Sequence, residues 1–138
     1  MNHPSLLPQD KQWKLVWHDE FDGSSLDETK WSFRRHLFHR EHPTFTDQGV
    51  TVQDSCLHIN LIEKDGQYYS AHLQTGENYM DRPSKSRDWP LAPFSTPKFM
   101  HKYGYYECRC KLPMSKGWWA AFWLQSAAAP TRARPASR

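Results

Sequence analysis

The chain is predicted to be all-β, antiparallel and sandwich-like. Three observations carry that expectation. No stretch of the 138 residues sustains the 3.6-residue periodicity of an amphipathic helix. Several short runs instead alternate apolar and polar residues and are rich in strand formers. Turn-forming pairs such as Asp54-Ser55 and Asp65-Gly66 stand between those runs.

The elements follow in order. Residues 12–17 alternate and read as a first short strand. Asp22-Gly23-Ser24-Ser25 is a turn, and Asp27 is placed to cap a single helical turn over residues 28–31. Strands are expected at 50–52, 56–62 and 68–74, with Asp65-Gly66 as the hairpin signal. Residues 81–97 hold four prolines and many charges and read as a surface loop. Two strong strand candidates close the series, 103–112 and 118–125, joined by Pro113-Met114-Ser115-Lys116-Gly117.

Composition narrows the function. Seven Trp in a chain of mean hydropathy −0.88 leave few Ile and Val for a core. The aromatics must either fill the interior or line a groove, where an indole face suits the apolar face of a sugar ring. The net charge of +3 comes from the last twelve residues, which hold Arg132, Arg134 and Arg138 and no acid. Without them 15 basic residues balance 15 acidic ones, so no basic footprint points to nucleic acid. No apolar run approaches membrane-spanning length, and the opening residues show no signal-peptide pattern. Cys56, Cys108 and Cys110 are an odd number and give no disulfide framework. They are expected to be buried free thiols, with Cys108 and Cys110 on one strand face and poorly placed to pair with each other.

Strand alternation sorts the last candidate strand into two faces. Trp119, Ala121 and Trp123 share one face, two large aromatics flanking a small residue. Ala120, Phe122 and Leu124 point the other way and are expected in the core. His36, His39 and His42 look metal-like, but neither strand nor helix spacing gathers them on one face, so no metal site is expected. Glu107 and Arg109 share a face, either as a pair or as part of a groove wall.

These residues carry a resemblance. Lys111-Leu112-Pro113, then Gly117-Trp118-Trp119-Ala120-Ala121-Phe122-Trp123-Leu124, resembles glycoside hydrolase family 16, with Ala120 in place of a usual proline. Four other stretches agree, in order along residues 13–126. They are Trp17-His18-Asp19-Glu20-Phe21-Asp22-Gly23 with Leu26-Asp27 and Lys30-Trp31; Leu57-His58-Ile59-Asn60-Leu61; Ser70-Ala71-His72-Leu73-Gln74-Thr75; and Tyr103-Gly104-Tyr105-Tyr106-Glu107 with Arg109. The resemblance implies a concanavalin A-like jelly roll and retaining hydrolysis of a β-glucan or β-galactan, a polysaccharide partner, with no nucleic acid, membrane or cofactor involved. It also implies an extracellular setting. Trp119 and Trp123 become a candidate substrate platform, and His72, standing where the family often has an arginine, either a cleft contact or a solvent-facing strand residue.

The resemblance further implies a catalytic strand of the form Glu-x-Asp-x-x-Glu or Glu-x-Asp-x-Glu, whose two glutamates flank the scissile bond. The last acidic residue of this chain is Glu107. Glu20-Phe21-Asp22 and Glu63-Lys64-Asp65 stand at turns away from the Trp run and are not expected to serve. No catalytic residue is therefore assigned. The expected organisation is an N-terminal extension over 1–12, a partial domain over 13–126, and a tail over 127–138 that is either natively disordered or a shifted reading frame.

Overall fold

A computed structural model describes residues 4–37, 40–76, 79–81, 91–93 and 97–124, with backbone alone at 36–37, 40, 79–81 and 91–93. The tail over 127–138 lies outside the described residues. These fall into two compact units. One holds residues 4–16 and 101–124, and the other lies within residues 17–100.

The fold is all-β, and no helix occurs among the described residues. Eleven short strands run in chain order: β1 Ser32–Phe33, β2 His36–Leu37, β3 Arg40–Glu41, β4 Phe45–Thr46, β5 Val50–Gln53, β6 Cys56–Ile59, β7 Ile62–Lys64, β8 Gln67–Ala71, β9 Leu73–Gln74, β10 Tyr79–Asp81 and β11 Leu91–Pro93. They form several small sheets: β4-β8-β7 and the pairs β1-β9, β2-β3, β5-β6 and β10-β11.

The β5–β6 and β7–β8 hairpins have chemically specified turns. Asp54 and Ser55 both have φ of 52°, and Asp65 and Gly66 have φ of 52° and 73°. Two central residues with positive φ make a type I′ turn, whose twist matches the flanking strands. The turns bring Gln53 opposite Cys56 and Lys64 opposite Gln67. Alternation then has a physical effect. Val52 is buried while Thr51 and Gln53 are exposed.

Two expected long strands are each broken. The 56–62 run is split into β6, ending at Ile59, and β7, starting at Ile62; between them Asn60 extends the β5–β6 pairing by donating both its backbone N–H (2.8 Å) and its side-chain amide (3.3 Å) to the carbonyl of Gly49. Gly49 has φ of 78°, and a Cβ there would meet the Asn60 carbonyl at 2.7 Å, so only glycine fits. The 68–74 run breaks at His72, where the chain leaves one sheet and enters another. Ala71 pairs with Thr46, whereas Leu73 pairs with Phe33, and the His72 carbonyl accepts from the Arg34 N–H at 2.7 Å.

Other expectations are corrected. The sheets are not wholly antiparallel: β4 runs parallel to β8, held by the Ser70 N–H donating to the Thr44 carbonyl at 3.0 Å. The 81–97 segment is not wholly loop, since β11 pairs with β10. Pro93 stands at the end of that ladder, where a missing N–H is tolerated. Residues 12–17 form no strand. Trp13 instead donates its indole N–H to the Pro8 carbonyl at 2.8 Å and leans on Tyr105 with ring centres 5.9 Å apart. The 103–112 and 118–124 segments carry no ladder pairing, because strand formers become a strand only where a neighbour supplies the hydrogen bonds.

The buried hydrophobic residues among those described are Val52 and Ala71. Phe122 (59% exposed) and Leu124 (62% exposed) are not core, contrary to the alternation reading. The cysteines are free as expected, but all three are exposed. Cys56 heads β6 directly after a surface turn, and Cys108 and Cys110 lie on the unpaired segment.

Candidate functional site

The opening motif folds around one carboxylate. Asp19 accepts the Trp31 indole N–H at 2.7 Å on one oxygen and the Phe21 backbone N–H at 3.0 Å on the other. Lys30 lies 3.5 Å away, and the Asp19 side chain is only 9% exposed. A nearly buried carboxylate is costly unless paired and hydrogen-bonded, and this one is both. It holds Phe21 at φ of 55°, an unfavourable conformation for a bulky residue.

Around it, Trp17 meets Trp31 edge-on at 5.2 Å and stacks on Phe99 at 5.5 Å, and Phe21 stacks on Trp31 at 6.1 Å. Asp27 caps the next turn as the sequence leads one to expect, accepting from the Thr29 N–H (2.9 Å) and hydroxyl (2.6 Å). The Thr29 hydroxyl is the main reason its carboxyl sits below the usual range. Lys98 closes the far end of that turn by donating to the carbonyls of Glu28 and Trp31. Sequence reading found the motif but not this hub. The available signal was that a tryptophan among apolar neighbours needs an acceptor for its N–H.

His72 is half-buried and stacks on Phe45 with ring centres 3.9 Å apart, and Phe45 lies 4.4 Å from the ring of His42. Burial, then the charges of Arg34 and His42, push the His72 pKa down. His42 Nδ1 lies 3.1 Å from the Thr44 hydroxyl. The Phe45 partner was invisible in the sequence, since it comes from the parallel strand. His39 lies outside the described residues, as does the side chain of His36. No metal-binding group of three or more His, Cys, Asp or Glu occurs among the described residues.

Trp119 and Trp123 belong to the unit that contains residues 101–124, and His72 to the other. Trp119 is 93% exposed and Trp123 55% exposed. Trp118, Phe122 and Leu124 are also exposed, so the segment presents apolar groups without sorting them by face. Glu107 forms no ion pair with Arg109. Its carboxylate instead accepts from the Ser5 hydroxyl (2.8 Å) and the Leu6 N–H (2.9 Å), which ties the N-terminal segment to it. Partial desolvation, then the Glu107 charge and hydrogen bond, raise the Tyr105 pKa. Glu107 is the one carboxylate of residues 101–124, so this segment by itself presents an aromatic surface and no pair of acids.

Comparison with known proteins points the same way. No family model matches the chain, and no solved structure does. It is similar to a glucan endo-1,3-beta-glucosidase A1 of Niallia circulans, 27% identical over 124 residues that make up 80% of this chain and 17% of that protein. It is also similar to a beta-glucanase of Rhodothermus marinus, 27% identical over 129 residues that make up 87% of this chain and 40% of that protein. The chain thus spans less than half the length of either relative, while its similarity to these two glucanases extends over most of its own length.

Proposed function

We propose that this chain is part of a glycoside hydrolase of family 16 type that acts on a β-linked polysaccharide, a β-glucan in the first place. The chain supplies an aromatic sugar-binding surface, and the two carboxylates of the retaining mechanism belong to a segment outside this sequence. The observation that carries the reading is the 117–124 run, where Trp119 and Trp123 are both open to a ligand. The two glucanase relatives, matched over most of this chain, support the substrate class. The jelly-roll topology and a role for His72 at the cleft are part of the same proposal.

A second reading, a carbohydrate-binding module without hydrolysis, draws support from the absence of any acid after Glu107. One set of measurements separates them. Laminarin, lichenin and agar are offered to the purified protein, with binding read by affinity electrophoresis and cleavage by reducing ends. The chain alone should bind a β-glucan without releasing reducing ends. Trp123→Ala should weaken that binding by about 1 kcal/mol, the scale of one lost aromatic contact. When the coding DNA beyond residue 126 is read in all three frames, a Glu-x-Asp-x-x-Glu strand supports the hydrolase, and its absence supports the binding module. Turnover by the chain alone, free of contaminating enzyme, would overturn the assignment of the acids to another segment.

A further inference from the structure

Three stretches of chain meet at two imidazoles. The His42 N–H donates to the Arg35 carbonyl at 2.9 Å, and the His42 carbonyl accepts from the Phe45 N–H at 3.1 Å. The Thr44 carbonyl accepts from the Ser70 N–H at 3.0 Å, and the His72 carbonyl from the Arg34 N–H at 2.7 Å. Residues 34–35, 42–46 and 70–72 are thereby laced together. Phe45 stands at their junction, its ring centre 3.9 Å from that of His72 and 4.4 Å from that of His42. The ladder beside this stack is only two pairs long, Phe45 opposite Ser70 and Thr46 opposite Ala71. A parallel pairing is slightly weaker per residue than an antiparallel one, so the side-chain stack carries much of what holds this seam.

The geometry suits neutral rings. The Thr44 N–H reaches His42 Nδ1 at 3.4 Å, and the Thr44 hydroxyl lies 3.1 Å from the same nitrogen. A backbone N–H can only donate, so Nδ1 accepts, and a neutral His42 carries its proton on Nε2. A further proton must enter at Nδ1 and turn that acceptor into a donor facing another donor. At His72, burial and the positive charges of Arg34 and His42 oppose a proton. Of the carboxylates on these segments, Asp47 is paired with Arg35 at 3.1 Å and Glu41 is exposed. A single cation is attracted to a phenyl face, but two imidazolium ions beside one phenyl ring, and Arg34 beside one of them, repel.

From this convergence, the two ring stacks and the Thr44–His42 hydrogen bond, we infer that His42, Phe45 and His72 form a pH-sensitive latch. Neutral imidazoles hold the parallel β4–β8 seam closed. Protonated ones release it, while the β7–β8 hairpin, which contains no histidine, stays formed. Release of residues 42–46 uncovers Phe45 and the buried side of His72. The device responds in the pH range where histidine, alone among unperturbed side chains, changes its charge.

The test is amide hydrogen exchange followed by NMR from about pH 7.5 to about pH 5, the histidine range, with each rate corrected for its intrinsic pH dependence. The Ser70 amide reports the seam, and the Asn60 amide, bonded to the Gly49 carbonyl, reports the β5–β6 pair. Ser70 protection should fall about tenfold across that range while Asn60 protection holds. In the His42→Phe/His72→Phe double variant, which keeps an aromatic ring at each position and removes both protons, the fall should vanish. The wild-type comparison needs no variant. Equal loss at Ser70 and Asn60 would mean global unfolding and overturn the latch. So would constant Ser70 protection in the wild type, or an undiminished fall in the double variant. No glucan enters the measurement, so its result is independent of the proposed hydrolase.

Discussion

Two aromatic-rich regions of this chain have opposite fates. In residues 17–31, Trp17, Phe21 and Trp31 find one another, and the Trp31 N–H finds Asp19. In residues 103–124, Tyr103, Trp118, Trp119, Phe122 and Trp123 stay exposed. The second region is the richer in aromatics, with seven in 22 residues against three in 15, and both regions follow sequence patterns of the same resemblance. The difference is the polar partner. The first region carries a carboxylate that gathers N–H groups from two and from twelve residues along the chain and so fixes where the Phe21 and Trp31 rings go. The second has only Glu107, one of whose oxygens, Oε2, accepts from Ser5 and Leu6 of the N-terminal segment. Apolar surface supplies attraction without direction, and a hydrogen-bonding hub supplies the direction.

The largest test of this contrast is Asp19→Ala. It leaves the Trp31 and Phe21 N–H groups and the Lys30 ammonium without their shared acceptor, and should cost about 2–4 kcal/mol. Urea unfolding followed by Trp fluorescence reads it, and a change under about 0.5 kcal/mol, the ordinary surface value, would break the comparison. Gly49→Ala comes next. Strained φ and the close approach to the Asn60 carbonyl should cost about 1–3 kcal/mol in the same assay. An unchanged midpoint would show that the β5–β6 edge is not held there.

A pH series sharpens the picture at His72. Its folded pKa is depressed, so the unfolded chain binds more protons as pH falls through the window just below the ordinary histidine value of about 6.5. Stability is then complete above that value and declines through the window toward the folded pKa. Arg34 and His42 are the charges that face the ring. His72→Phe keeps the stack on Phe45 and should flatten that slope, and an equal slope in both proteins would assign it to another group. The smallest effect is expected at Phe122→Ala. Being exposed, Phe122 should change stability by less than about 0.5 kcal/mol, against the roughly 3–5 kcal/mol of a core phenylalanine. A core-sized loss would restore the two-faced strand reading of 118–124.

Legibility in the sequence followed the range of the interactions. Asp65-Gly66 announced its hairpin because a two-residue turn is decided by its own residues. Asp27 announced its cap for the same reason. The break at His72 was not legible, since it depends on a backbone group far along the chain, that of Arg34. The parallel β4 was hidden because Phe45-Thr46 is too short to read as a strand. At the candidate site, the exposure of Trp119 and Trp123 was legible, but alternation did not place Phe122 and Leu124. A period of two sorts side chains only once a ladder flattens the chain.

The parallel pairing of β4 with β8 also sets an order of events. Phe45 opposes Ser70, 25 positions along the chain (70 minus 45), whereas the closing pairs of the hairpins, Gln53–Cys56 and Lys64–Gln67, are three positions apart. Hairpins form in about 1–10 μs, and loop-closure entropy disfavours the longer connection. Both hairpins lie wholly or largely inside the span that the parallel contact must close. Once formed, they shorten the effective slack between Thr44 and Ser70, so the local turns come first and the parallel seam is sealed last. The His42–Phe45–His72 stack, which needs that seam, is then a late arrival in folding and the first tertiary contact released when the chain begins to open.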